Sequence, residues 1–228
     1  MSNKVRNNYI VFSDVDETLI RFKSMITFMD YFLYRTPYAK RPEAEEKRKE
    51  FQAINEANTP TADRAALNRR FYAMFAGISQ AELQEAARTW MKGVMARGDL
   101  FVQSAYSEQQ EHKKRGAELV LVSGSFHDIL GPICEHVGAD RLICSELEVK
   151  DGLYTGVLLQ QVIGDGKWDA ISRYIDGRGI ALDSCFAYGD HVSDLCFMEK
   201  VGNPIVVGDS PGMLKVAKER NWRVLAAH

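Results

Sequence analysis

Residues 9–20 read Tyr-Ile-Val-Phe-Ser-Asp-Val-Asp-Glu-Thr-Leu-Ile, and no other stretch constrains the fold of this chain as tightly. Residues 9–12 form a short aromatic and β-branched run, the pattern of a strand buried on both faces. Two carboxylates two residues apart, Asp14 and Asp16, follow directly at its carboxyl end. In open α/β sheets, ligands collect in the crevice at that end of the strands. An acidic pair is costly to bury without a partner. A hard cation such as Mg2+ supplies that partner, since it takes one or two carboxylates plus phosphate oxygens. A solvated turn with two surface aspartates is the other reading of the pair taken alone.

Three further motifs bear on that choice. Residues 119–126, Leu-Val-Leu-Val-Ser-Gly-Ser-Phe, are an apolar run that ends in Ser123 and Gly124. Lys167 lies in Gly-Asp-Gly-Lys-Trp-Asp, where a helical pattern begins. Residues 186–194, Phe-Ala-Tyr-Gly-Asp-His-Val-Ser-Asp, are a strand running into Asp190 and Asp194. Taken singly, a lysine is usually a surface residue, and two acids four apart suit a helix N-terminus. In this order, however, the four motifs resemble those of the haloacid dehalogenase superfamily, in the branch that includes phosphoserine phosphatase. The resemblance covers the first strand and about residues 100–210.

That resemblance implies a Mg2+-dependent phosphomonoesterase acting on a small-molecule phosphate ester. Asp14 would be the nucleophile, giving an aspartyl-phosphate, and Asp16 the acid and then the base. Ser123 and the Gly124 amide would grip phosphoryl oxygens, with Lys167 as the fixed positive charge. Thr18 would hold the loop through bonds to backbone. The ion would be held by the Asp14 and Asp190 carboxylates and the Asp16 carbonyl. Asp194 would orient the metal's water or Lys167 from behind.

Periodicity supplies the domain organisation. Residues 24–35 carry Met25, Phe28, Met29, Phe32 and Leu33 as one apolar stripe of a helix. Residues 61–76 and 79–97 are helical too, the latter opening on a Ser79–Glu82 capping box. Thr36-Pro37 and Thr59-Pro60 each look like an N-cap followed by proline. Residues 22–99 are therefore expected to form an all-helical cap, inserted into a core of residues 1–21 and 100–228. Beyond residue 104 strands and helices alternate, with a hairpin at Asp151-Gly152. The fold class expected is α/β, a doubly wound, mostly parallel Rossmann-like sheet.

With 46% apolar and 26% charged residues, the 228-residue chain has the composition of a globular protein. A net charge of −2 provides no field to draw nucleic acid or an anionic membrane. No apolar run is long enough for a membrane helix, and the eight residues before the first strand leave no room for a signal peptide. A soluble, cytoplasmic protein is expected. Cys134, Cys144, Cys185 and Cys196 form no C-x-x-C pair and read as free thiols.

The chain also departs from the phosphoserine phosphatase pattern. Nine residues after the nucleophile that branch carries a glutamate for the substrate's ammonium group, and here the position is Lys23. A cation facing an ammonium repels it, so phosphoserine is disfavoured. Ser193 replaces an asparagine of the last motif, and His191 a small residue. Two other functions remain open on sequence: phosphoryl transfer to an acceptor other than water, and a non-catalytic binding protein of the same fold.

Overall fold

β1 (Ile10–Ser13) lies mid-sheet, and its alternating side chains feed two separate apolar layers. Val11 packs on one face with Leu119, Leu121, Tyr188 and Val207. Ile10 and Phe12 pack on the other with Val120, Val122, Ala187 and Val206. Burial on both faces explains why this strand is continuously apolar rather than alternating.

The computed structural model describes residues 9–59 and 62–227. The expectations about residues 1–8, the proline of Thr59-Pro60 and a helix start at Thr61 fall outside them. Among the described residues one seven-stranded sheet runs β4-β3-β2-β1-β5-β6-β7. The strands are β2 (Glu118–Phe126), β3 (Arg141–Lys150), β4 (Leu153–Gln160), β5 (Phe186–Gly189), β6 (Asn203–Val207) and β7 (Arg223–Leu225). All neighbours are parallel except β3 and β4, which form an antiparallel hairpin. Asp151 and Gly152 both take positive φ, 51° and 76°, as the tight turn between them requires. This is the doubly wound sheet that the motif order implied.

Between β1 and β2 lie α1 (Ser24–Arg35), α2 (Glu43–Ala57), α3 (Arg64–Ala73), α4 (Gln80–Ala96) and α5 (Gln103–Lys114). Ser79 caps α4, accepting from Glu82 N–H, but Glu82 pairs with Arg41 rather than closing the expected capping box. Asp63 caps α3. Thr36 caps a short 3₁₀ helix (Pro37–Lys40) as expected, accepting from Tyr38 N–H, with Pro37 at its first position. Phe28, Phe32, Leu83 and Trp90 from these helices, with Phe75 between α3 and α4, share the apolar layer of Val11 and Leu121. The helical segment is also tied to the sheet edge by polar contacts. Gly77 N–H donates to the Tyr154 carbonyl, and Tyr154 N–H to that of Ile78, each at 2.9 Å. Asp128 accepts from Gln80, Gln84 and the Tyr154 hydroxyl.

The opposite layer is built by α7 (Asp165–Ile175), α8 (Leu195–Met198) and α9 (Pro211–Arg220), while α6 (His127–Val137) packs with α1 and α4. β2 is longer than its apolar run suggests. It continues to Phe126 through a break in pairing with β3 between Ser123 and Phe126. Gly124 lies inside that irregularity.

Candidate active site

The sheet delivers its acids and its lysine to one place. Asp14 leaves β1 with its N–H bonded to the Tyr188 carbonyl of β5 at 3.0 Å, so the two strand ends stay in register. Lys167, in the first turn of α7, reaches back over the sheet. Its Nζ stands 2.6 Å from Asp14 Oδ1 and 2.6 Å from Asp194 Oδ1. Carboxylate oxygens of Asp14, Asp190 and Asp194 all lie within 4.8 Å of one another. Residues separated by up to 180 positions thus share one buried cluster.

Two glycines make this approach possible. A Cβ on Gly166 would stand 2.5 Å from the Gln161 carbonyl oxygen, so only glycine fits beside Lys167. At Gly189 a Cβ would meet Asp194 Cβ at 2.7 Å and Met198 Sδ at 2.8 Å. The absence of that atom lets Asp194 close over the end of β5.

The electrostatics follow from burial. Three carboxylates face a single ammonium group. Burial, reinforced by Asp194 and Asp190, holds the Asp14 carboxyl well above the usual aspartate range despite Lys167. Burial, followed by the charge of Asp194, pushes Asp190 up to about 7. Burial opposes the charge on Lys167, but Asp14 and Asp194 outweigh it and raise its pKa. Asp16 is raised to about 6, again by burial, with Ser24 opposing. Its Oδ1 is buried with no hydrogen-bond partner. The excess buried negative charge of Asp14, Asp190 and Asp194 suits a hard divalent cation, and the all-oxygen donor set matches one.

The remaining expected residues take the following places. Ser123 is buried at the end of the apolar part of β2, and Gly124 follows it into the cavity lining. Thr18 does not hold the loop through backbone; its hydroxyl donates to Asp190 Oδ1 at 3.1 Å. Lys23 lines the same cavity, with Nζ 3.5 Å from Glu17. His191 lines it too, and its ring caps the following turn by accepting from Ser193 N–H. His127 is exposed and lies outside this lining.

The cavity holds about 210 Å³. Its far wall comes from the inserted helices: Met25 and Ile26, Asn55 and Asn58, and Leu67, Asn68 and Phe71. Sequence reasoning did not find the three asparagines. A polar residue on an otherwise charged helix carries no periodic signal.

Fold and site together define an α/β enzyme whose acids and buried lysine, Lys167, gather at the carboxyl ends of parallel strands. The chain belongs to the haloacid dehalogenase-like hydrolases, whose family pattern matches residues 11–199. A probable phosphatase of Mycobacterium tuberculosis is 29% identical over 216 residues, covering 94% of this chain and 74% of its own. A Bordetella pertussis protein of unknown function superposes with a TM-score of 0.84 at 25% identity, over 97% of this chain and 99% of its own. A phosphoserine phosphatase solved as a phospho-aspartyl intermediate analogue shares the fold, with a TM-score of 0.66 at 20% identity over 97% and 94% of the two chains. Among the described residues no helix is long and apolar enough to cross a membrane.

Proposed function

We propose that the protein is a cytoplasmic, Mg2+-dependent phosphomonoesterase that dephosphorylates a small metabolite through an aspartyl-phosphate. The observation that carries this reading is Lys167 held 2.6 Å from both Asp14 and Asp194, inside the carboxylate cluster that includes Asp190. A phosphate monoester brings about two negative charges, so an anionic nucleophile needs fixed cations around it.

In this reading Asp14 attacks phosphorus in line, forming an Oδ–P bond as the bond to the ester oxygen breaks. Asp16, raised by burial to about 6, keeps a protonated fraction near neutrality, and that form gives its proton to the departing oxygen. The same carboxylate then takes a proton from the water that attacks the aspartyl-phosphate. Ser123 and the Gly124 amide hold phosphoryl oxygens, while Lys167 offsets their charge. Thr18 holds the Asp190 carboxylate in place. The ion would be held by Asp14, Asp190 and the Asp16 carbonyl, and it would neutralise phosphoryl charge. Asp194 would orient Lys167.

Residues 22–99 are proposed as the cap over a core of residues 1–21 and 100–228, excluding water and choosing the leaving group. The Lys23–Glu17 pair at the cavity wall supports a leaving group other than serine. A cavity of about 210 Å³ suits a small ester.

The test is phosphate release from p-nitrophenyl phosphate and a metabolite panel, ranked by kcat/KM. Activity should require Mg2+, disappear with chelator, and fall to background in Asp14→Asn. Turnover undiminished in Asp14→Asn, or none across the panel by folded protein, overturns the reading.

A further inference from the structure

Among the buried hydroxyls that the chemistry above does not use, one reaches the phosphate-gripping turn. Tyr72, on α3, is fully buried, and its hydroxyl donates to the Gly124 carbonyl oxygen at 2.5 Å. Ser145, on β3, donates to the same oxygen at 3.0 Å and accepts from Val162 N–H at 3.1 Å. The Gly124 carbonyl belongs to the same planar peptide unit as Ser125 N–H. That N–H donates to Ser123 Oγ at 3.1 Å. A hydroxyl oxygen that accepts from one side keeps its own hydrogen for an acceptor on the other. For Ser123 the other side is the cavity, whose lining includes it.

The peptide in question sits where β2 and β3 lose their register, between Ser123 and Phe126. Regular pairing therefore does not set its orientation, and the two hydroxyls on the Gly124 carbonyl do. Burial pushes the Tyr72 phenol well above its usual range, so it remains a donor. Bonds arranged in series also polarise one another, which strengthens the last donor.

The geometry points to Tyr72 as a positioning residue that aims the Ser123 hydroxyl hydrogen at a phosphoryl oxygen, acting through the Gly124–Ser125 peptide. The inference rests on the phosphatase reading above, in which Ser123 grips phosphate. It means that the inserted helices complete the phosphate grip as well as walling the leaving-group side.

Tyr72→Phe removes the hydroxyl and keeps the ring. It is compared with Ser123→Ala and the double variant, using p-nitrophenyl phosphate and Mg2+, with orthophosphate inhibition measured alongside. The expected result is a fall in kcat/KM of about tenfold for Tyr72→Phe in the parent protein, the size of one lost hydrogen bond. In the Ser123→Ala background the same change should cost less than about twofold, because its target is already gone. Weaker orthophosphate inhibition should accompany the first loss and not the second. Equal losses in both backgrounds, or a lowered Tm with unchanged kinetics, overturn the inference in favour of a structural hydroxyl. If Tyr72→Phe does not fold, Ser145→Ala reads the same carbonyl by the same comparison. If the parent turns over no ester, the phosphatase reading fails. The affinity of the four proteins for orthophosphate, followed by thermal shift, then decides the role of Tyr72 by the same pattern of losses.

Discussion

Lys167→Met is the perturbation that asks most of this site. The lysine side chain is 5% exposed, and its partners Asp14 and Asp194 are 8% and 1% exposed. Methionine fills much of the vacated volume, so the cavity left behind is small. What remains is uncompensated charge, and removing one partner from a buried ion pair costs ~3–5 kcal/mol. The carboxylates limit that loss by taking up a proton, which makes the loss depend on pH. A carboxyl whose pKa is raised by folding stabilises the native state below its ordinary value and loses that contribution as pH rises through the folded one. For Asp190 the window runs from 3.8 to about 7. Asp14 is raised as well, and loss of the lysine, the main opposing charge, raises it further. Urea unfolding in EDTA should therefore show Lys167→Met destabilised by ~3–5 kcal/mol at about pH 8, and by clearly less at about pH 5. Phosphatase activity should fall by at least ~100-fold at either pH. An equal gap at the two pH values, or none, would refute the picture of a lysine neutralising buried carboxylates.

Other outcomes follow from neighbouring geometry. Gly189→Ala should force Asp194 away from the β5 end, lowering kcat/KM and Tm together, since the new Cβ would stand 2.7 Å from Asp194 Cβ; an unaltered variant would show that Asp194 has room to move. Glu108 accepts from Arg223 at 2.5 and 2.7 Å and from the Tyr188 hydroxyl at 2.8 Å. Burial raises its pKa, but the bonds from Arg223 and Tyr188 outweigh that and hold it below the ordinary 4.5. Its contribution is therefore present above 4.5 and lost as pH falls. Glu108→Gln should cost about 1 kcal/mol near neutrality, with the gap closing in acid. A gap that persists at acid pH would assign the loss to packing.

Much of the fold follows from local pattern because parallel strands buried on both faces have to be apolar runs. Residues 10–13, 118–122 and 186–189 stand out for that reason, as does the Asp151-Gly152 turn, whose backbone needs positive φ. The order of acid, serine, lysine and acid was legible because each follows a strand end or opens a helix. Local pattern could not supply the direction of a side chain across the crevice. Thr18 looked like a loop fastener and instead holds Asp190, and Lys23 lies beside Glu17 at the cavity wall. The three asparagines had no signal, because a helix face toward a cavity looks like a face toward water, and the Tyr72 hydroxyl had none because its partner, the Gly124 carbonyl, lies 52 positions away. The residue order alone thus set which strands form and where their acids emerge. The packing of helices from residues 24–96 against the β2–β3 irregularity decided which distant hydroxyls and amides meet those acids, because that depends on contacts between segments that chain-local chemistry does not encode.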